Sequence, residues 1–188
     1  MDLIEEARNY ALSEIKKYGT PSLLHFEISE KKALELAVQL KADITIVHIG
    51  ACFMDLKLGQ AIKENRQTEH CTMGVTATST FLDDHGVKGR NKEKILNCIT
   101  AHHRDVPFTC IEAEICANAD CYRFIHPKGF FIYLTMLGNR GLSFAECLNS
   151  AEAKLEEKKK ILSLTICKKE LEGYYNTLHQ FIADARGL

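Results

Sequence analysis

Apolar residues recur at intervals of three and four positions along almost the whole chain, which is the spacing of one face of an α-helix. Only 3 of the 188 residues are proline. Because proline and glycine interrupt helices, this distribution predicts long helices between the breaks. No segment alternates apolar and polar residues for long enough to indicate a strand, so we predict an all-α fold. Glycines stand where the helical spacing breaks, at Gly19, Gly86, Gly89, Gly138 and Gly141.

The breaks divide the chain into eight or nine predicted helices. Ser143 and Glu146 form a capping box that opens one of them, and Pro127 suits the first turn of another. The segment 58–66 is the most loop-like part of the first half. We find no internal repeat and no linker, and we therefore expect residues 1–188 to form a single-domain helical bundle. The predicted helices cover residues 2–18, 29–41, 44–57, 67–85, 90–103, 109–125, 127–138, 143–163 and 166–185.

Charge and hydropathy exclude several classes of protein. The 24 basic and 25 acidic residues give a formal net charge of −1, so no nucleic-acid partner is expected. No apolar run approaches the ~20 residues that span a bilayer, and no signal-peptide pattern is present. We therefore expect a cytoplasmic protein without membrane contact. The one dense basic run, residues 158–160, directly follows Glu156 and Glu157, and we interpret it as the solvated face of a helix.

The cysteines indicate a reducing environment. Although the chain has 8 of them, none forms a C-x-x-C pair. Most lie inside apolar, helix-like segments, which is typical of thiols in a core rather than of a disulfide scaffold or a zinc cluster. The cysteines expected to be buried are Cys52, Cys98, Cys116, Cys121 and Cys167.

Two aspartates stand on apolar helical faces. The helical neighbours of Asp120 are largely apolar, although Arg123 is one of them. Asp55 ends a long apolar run, and none of its helical neighbours can pair with it. Because a buried carboxylate without a partner is costly, each aspartate requires a cation. That cation is either a metal ion shared between the two or a basic side chain, with Arg123 as the nearest candidate for Asp120.

Histidines accompany the two aspartates along the chain. A lone histidine is more often structural than a ligand, but several of them together with buried carboxylates favour a metal site. Carboxylate and imidazole form a ligand set that suits Fe, Mn, Zn or Mg. Such an ion lowers the pKa of bound water and makes a nucleophile near neutral pH. The histidines concerned are His25, His70, His102 and His103.

The order of these residues resembles the HD superfamily of metal-dependent phosphohydrolases. That superfamily has a histidine, then a His-Asp doublet that ends an apolar helix, then a distal aspartate commonly preceded by alanine. Here these positions correspond to His25, to Asp55 and to Ala119-Asp120. The resemblance covers roughly residues 20–130. It implies a bundle of the HD-domain type in which the first helix and the two C-terminal helices are additions.

The resemblance also implies ligands and a substrate. His25, Asp55 and Asp120 would bind one divalent ion, and His70 with His102 or His103 would bind a second. Asp55 would bridge the two ions and is the central catalytic candidate. The substrate would be a small phosphate ester or a nucleotide. Basic residues that flank these positions are candidates for phosphate contacts, although each also suits a surface charge: Lys57, Lys63, Arg66 and Arg104.

Met54 departs from the superfamily pattern. It precedes Asp55 where the doublet has histidine, and a thioether is a soft ligand that does not suit a hydrolytic centre. Met54 is therefore either an altered ligand position or a core methionine. Three functions remain open: a metal-dependent phosphohydrolase, a degenerate HD domain that binds a nucleotide, metal or protein partner without catalysis, and a dimetal HD-type oxygenase. One or two ions and a homo-oligomer are all compatible with the sequence.

Overall fold

The computed structural model describes residues 2–187, and within them the chain forms ten α-helices, one short 3₁₀ helix at Gln67–Glu69 and no strand. The predicted all-α fold is confirmed. None of the helices in this range combines the length and the apolar character needed to cross a bilayer. The helices are α1 Leu3–Tyr18, α2 Leu23–Leu40, α3 Ile44–Phe53, α4 Leu58–Lys63, α5 His70–Asp84, α6 Gly89–Thr100, α7 Ile111–Ile125, α8 Pro127–Asn139, α9 Phe144–Ile161 and α10 Thr165–Arg186.

Helix ends follow the predicted signals in several places. Gly19 ends α1 in the left-handed conformation, with φ 71°. The capping box of Ser143 and Glu146 opens α9, and Pro127 lies in the first turn of α8. These ends are set by local chemistry, which explains why the sequence alone predicts them.

Other helix boundaries differ from the prediction. The second helix begins at Leu23 rather than at residue 29, because the Ser22 side chain accepts a hydrogen bond from the backbone N–H of His25 at 3.3 Å and caps it. His25 therefore lies in the first turn of α2 and not before it. α3 ends at Phe53, so Asp55 lies in a turn, and the expected loop at 58–66 contains α4.

Helix α7 is the centre of the bundle. Of its 15 residues, all but Ile111 and Glu114 are buried. It packs against α2, α3, α6, α8, α9 and α10. A helix that is covered on every side normally carries apolar residues, yet α7 holds Asp120 and Arg123 in its last turns. The centre of the fold therefore contains charged groups that must find partners there.

Two glycines allow backbone segments to approach this centre. A Cβ atom on Gly129 would collide with the carbonyl oxygen of Arg123, so only glycine lets α8 start so close to the end of α7. A Cβ atom on Gly50 would lie 2.7 Å from the Cβ of Cys98, so glycine also permits the contact between α3 and α6. These contacts fix α3, α6, α7 and α8 around the turn that carries Asp55.

The eight cysteines are all free thiols, six of them buried. Cys52, Cys98, Cys116, Cys121 and Cys167 lie in the core, as predicted. Burial raises the pKa of the Cys121 thiol, and the neighbouring Cys116 together with burial raises that of Cys98, so both stay protonated near neutral pH. These cysteines behave as small apolar core residues.

Candidate metal centre

The two predicted carboxylates lie together and are paired with buried cations. Arg123 contacts Asp55 Oδ2 through Nη1, and the same Nη1 donates to Asp120 Oδ1 at 2.7 Å. The Nζ atom of Lys158 lies 2.6 Å from Asp120 Oδ2. Asp120 and Lys158 are 2% and 1% exposed. The cation that the sequence required for each aspartate is thus supplied by α7 and α9.

Burial and ion pairing act in opposite directions on these groups. Burial raises the pKa of the Asp55 carboxyl, but the Arg123 guanidinium together with His102 and His70 outweighs burial and holds that pKa well below its usual range. The pKa of Asp120 is likewise lowered, because Lys158 and Arg123 outweigh burial. Burial alone would lower the pKa of Lys158, but Asp120 and Glu157 together raise it above its usual value. All four groups are therefore charged near neutral pH.

Two histidine rings are fixed by their Nδ1 atoms. His102 Nδ1 donates to the carbonyl oxygen of Ile99 at 2.7 Å, and His70 Nδ1 donates to that of Gln67 at 2.8 Å. A carbonyl oxygen only accepts, so Nδ1 carries the proton in each ring. In the neutral imidazole the other nitrogen, Nε2, then has a free lone pair. This is the tautomer that a histidine bound to metal through Nε2 requires.

The Nε2 atoms converge on Asp55. Asp55 Oδ1 lies 3.6 Å from Nε2 of His102 and 3.9 Å from Nε2 of His70. His70 Nε2 lies 3.1 Å from His103 Nε2, so those two rings can satisfy each other by a hydrogen bond. His102 Nε2, in contrast, is buried and has no hydrogen-bond partner within residues 2–187. A buried polar atom without a partner is uncommon, and this nitrogen is free to bind a metal ion.

His103 completes this cluster from the cleft side. Burial and the neighbouring His102 lower the pKa of His103 to about 3, so its ring is neutral near pH 7. The Cys71 sulfur lies 3.4 Å from Nε2 of His70. In the described part of the chain, His70, Cys71, His102 and His103 form one of two groups of metal-ligating side chains whose ligand atoms all lie within 4.8 Å of one another. The imidazole cluster therefore fits a metal ion.

The other converging group lies outside this centre. It consists of Glu30, His48 and Cys52. Arg8 Nε donates to Glu30 Oε1 at 2.7 Å, and His48 Nε2 lies 2.9 Å from the same oxygen. The Glu30 carboxylate is thus already balanced by a guanidinium, which leaves less charge to attract an ion.

The ligands predicted for the first ion, His25, Asp55 and Asp120, do not form such a converging group among residues 2–187. The Nε2 atom of His25 donates to the carbonyl oxygen of Gly129 at 2.9 Å. Burial and Arg123 lower the pKa of His25 to about 4, so the ring is neutral. Met54 is 2% exposed and, with Asp55 and Arg123, borders a void of about 10 Å³. A guanidinium, not a set of ligands, lies between the two carboxylates.

The centre opens to solvent through two adjoining spaces. A cavity of about 100 Å³ is lined by Asp55, Leu58, Gln67, His70, His103, Asp120, Arg123, Phe124, Lys154 and Lys158. A larger cleft of about 720 Å³ shares three of these residues, His70, His103 and Lys154. The imidazole cluster therefore forms the boundary between a small inner cavity and an open cleft.

Solved structures share this architecture. The crystal structure of a predicted HD superfamily hydrolase from an uncultured Thermotogales bacterium matches with a TM-score of 0.69 and 17% identity, over 97% of this chain and 91% of the other. Bacillus subtilis YpgQ matches with a TM-score of 0.70 and 17% identity, over 98% of this chain and 94% of the other. This chain has the fold of the HD superfamily hydrolases. Since the match covers nearly the whole chain, the shared HD fold extends beyond residues 20–130 to α1, α9 and α10.

Curated relatives match part of the chain. Ribonuclease Y of Finegoldia magna is 32% identical over 111 residues, which is 58% of this chain and 20% of the relative. Ribonuclease Y of Fusobacterium nucleatum subsp. nucleatum is 26% identical over 135 residues, 72% of this chain and 25% of the relative. The chain thus spans a quarter or less of the length of these relatives. No protein-family model matches the sequence.

The four basic residues predicted as phosphate contacts have other partners in this structure. Lys57 lies 2.8 Å from a Glu14 oxygen, and Lys63 lies over the ring of Tyr18. Arg66 pairs with Glu69 at 2.7 Å. Arg104 donates to the carbonyl oxygen of Lys160 at 2.8 Å. None of the four is among the residues that line the inner cavity, so their role as phosphate contacts stays a prediction.

Lys158 is the residue that the sequence interpretation missed. We expected the run 158–160 to be solvated, but Lys158 is buried and only Lys160 is exposed. Lys158 lies at helical spacing from Leu155, Ile161 and Leu162, so it faces the core. Apolar neighbours three and four positions away identified Asp120 as buried, and the same criterion applies to Lys158. We did not apply it there because Lys158 begins a run of three lysines.

Proposed function

We propose that this chain is a metal-dependent phosphohydrolase whose divalent ion is held by the imidazole cluster and Asp55. His70, His102 and His103 would bind through Nε2, and Asp55 through Oδ1. The observation that carries this proposal is His102 Nε2, a buried lone pair without a partner in residues 2–187 that lies 3.6 Å from Asp55 Oδ1. The HD hydrolase fold supports the same conclusion.

The donor set narrows the choice of ion. Three imidazoles and one carboxylate suit Mn, Fe or Zn better than Mg, which prefers oxygen ligands. A divalent ion bound there supplies water that is deprotonated near neutral pH and offsets charge on the phosphate. Hydrogen bonds from Nδ1 of His70 and His102 to backbone carbonyls keep both rings in the orientation that binding requires.

Lys154 is the basic residue best placed to contact substrate. It lines both the inner cavity and the cleft. Its Nζ atom lies 2.5 Å from Glu157 Oε2, but it is not held between two carboxylates as Arg123 is. Lys158 is buried against Asp120 and therefore has little freedom to move. We assign Lys154 to the phosphate, because an ammonium at the edge of the cavity can form a charge-assisted hydrogen bond with it.

The cleft favours a small substrate. Its volume of about 720 Å³ lies within the range of ~300–1,000 Å³ that small-molecule sites occupy. Its lining includes the polar residues Thr68, Thr72 and Thr100 and the acidic residues Asp105 and Glu157. These groups suit a sugar or another hydroxylated leaving group. A nucleic-acid backbone requires several cations, and among residues 2–187 Lys154 is the only lysine or arginine that lines the cleft.

A hydrolysis screen tests this function. The purified chain would be stripped with chelator, reloaded with Mn(II), and assayed with nucleoside monophosphates, p-nitrophenyl phosphate and a short RNA. We expect phosphate release from a monoester that requires the ion and is lost in His102→Gln. Cleavage of the RNA without any release from monoesters would overturn the substrate class and point instead to the activity in the relatives' name, Ribonuclease Y.

A second function is favoured by a specific observation. Met54 replaces the histidine of the doublet, and Arg123 lies between Asp55 and Asp120, as expected of an HD domain that binds a ligand without turnover. The same screen separates the two functions. An Mn(II)-loaded protein that binds a nucleotide in calorimetry but releases no phosphate from any substrate would identify the binding domain.

A further inference from the structure

One nitrogen atom joins the two central carboxylates. Arg123 Nη1 contacts Asp55 Oδ2 and donates to Asp120 Oδ1. Because both oxygens contact the same atom, they are close enough for a single ion to bridge them. The guanidinium is itself buried, and its hydrogen bonds with the two carboxylates keep it in place. A side chain of the protein thus occupies the position between the two aspartates. A metal ion would otherwise bind there.

The charge at this position matches that of an ion. Arg123 and Lys158 together bring two positive charges to two carboxylates. A divalent ion in the same place would bring the same charge. The one further carboxylate beside Lys158 in residues 2–187, that of Glu157 at 3.0 Å, is itself paired with Lys154. Adding a divalent ion beside Arg123 and Lys158 would therefore leave an excess of positive charge in a buried site, which is strongly unfavourable.

The remaining ligands of this position are also committed elsewhere. Met54 offers a thioether, which binds Mn, Fe or Zn weakly. His25 uses Nε2 to donate to the carbonyl oxygen of Gly129 at 2.9 Å. The position therefore has two carboxylates that are already paired with cations, and the imidazole predicted to join them, that of His25, is hydrogen-bonded to a backbone carbonyl instead.

We propose that the Arg123 guanidinium, supported by Lys158, permanently replaces one metal ion between Asp55 and Asp120, so that this protein binds a single divalent ion. Asp55 contacts the guanidinium through Oδ2 and would offer Oδ1 to the metal ion. The location of that ion rests on the proposed function, whereas the replacement by Arg123 does not. A centre of this kind excludes chemistry that requires two metals, including that of a dimetal oxygenase.

Metal counting tests the replacement. The full chain would be saturated with Mn(II), desalted, and its manganese per chain measured by elemental analysis. We expect one ion in wild type and one more in Arg123→Gln, because the freed carboxylates then share an ion. Arg123→Lys keeps the positive charge and is the matched control, with no gain. The gain should persist when Arg123→Gln is combined with His102→Gln, which removes the imidazole site.

The outcomes separate this inference from the proposed function. A wild type without Mn(II), together with one ion in Arg123→Gln, would disprove the imidazole site and still support the replacement. An equal count in wild type and Arg123→Gln would overturn the replacement. If Arg123→Gln does not fold, the manganese content of Asp120→Asn decides the question. The same number of ions per chain as in wild type agrees with the replacement, and the loss of one ion contradicts it.

Discussion

Asp55 Oδ1 lies 3.6 Å from the Nε2 atom of His102, a buried ring nitrogen without a hydrogen-bond partner in residues 2–187. The other oxygen of Asp55 contacts Arg123. One carboxylate thus faces two different cation positions, of which one is filled by a side chain. This relationship is the basis of our proposals that the imidazole cluster binds the metal ion and that the neighbouring position is a permanent ion pair.

Replacing His102 should remove the ion without unfolding the protein. In His102→Gln we expect the affinity for Mn(II) to fall by more than ~100-fold, since even outer partners of metal ligands contribute ~10–100-fold. Isothermal titration calorimetry measures the affinity, and circular dichroism measures the helix content. The matched control is His85→Gln, which removes an exposed imidazole paired with Glu6 and should leave Mn(II) affinity unchanged. Equal loss in both variants would mean a general effect on the fold.

Removing Lys158 should destabilise the protein strongly. Lys158→Met leaves a buried oxygen of Asp120 without its cation, and breaking such a pair costs about 3–5 kcal/mol. Urea unfolding measures the change in the free energy of unfolding. Lys160→Met, at an exposed position of the same helix, should change it by less than about 0.5 kcal/mol. Adding Asp120→Asn to Lys158→Met should recover part of the loss, and a purely additive double variant would contradict the pairing.

Stability of the metal-free protein should fall in mild acid. The pKa of His25 is lowered from 6.5 to about 4, chiefly by burial, so the unfolded chain binds a proton in this range that the folded protein does not. The free energy of unfolding therefore decreases as pH falls from 6.5 to 4, by roughly 3 kcal/mol for this group, at about 1.4 kcal/mol per pKa unit.

A histidine variant isolates this contribution. His25→Gln keeps a donor for the carbonyl oxygen of Gly129 but does not titrate, so its unfolding free energy should depend less on pH between 4 and 6.5. An identical slope in wild type and His25→Gln would show that His25 does not cause the acid sensitivity.

Lys154 rather than Arg66 should bind phosphate. We expect Lys154→Ala to raise the inhibition constant of inorganic phosphate by about tenfold or more, since a hydrogen bond to a charged group contributes about 1.5–3 kcal/mol. Arg66→Ala should have little effect, because Arg66 is exposed and paired with Glu69. Inhibition of monoester hydrolysis gives both constants. A larger increase of the inhibition constant in Arg66→Ala than in Lys154→Ala would favour Arg66 as the phosphate contact, as the sequence suggested.

The sequence predicts the fold well because helix signals are local. Apolar spacing, the Ser143–Glu146 capping box and Pro127 depend on residues within one or two turns, and all appear as predicted. The boundary at Leu23 was missed because it depends on the weaker signal of a single Ser22 side chain. The end of α3 at Phe53 was missed because the apolar run continues past it.

The sequence predicts most residues of the candidate site, but it does not predict which of them form ion pairs with one another. Helical spacing identifies Asp120 as a buried carboxylate, and it offers Arg123 as one partner. It cannot show that Arg123 also contacts Asp55, which lies 68 residues away, or that Lys158 comes from α9 to complete the group. Such contacts arise from the packing of α3, α7 and α9, so they require the three-dimensional structure.

The most direct test of the central claim is a crystal structure of the wild-type chain soaked in Mn(II), with manganese located by anomalous diffraction. We predict one manganese peak, bounded by Nε2 of His70 and His102 and by Oδ1 of Asp55, with Arg123 still between Asp55 and Asp120. A peak between Asp55 and Asp120 would contradict the account, and so would the absence of any peak at the imidazoles in crystals saturated with Mn(II).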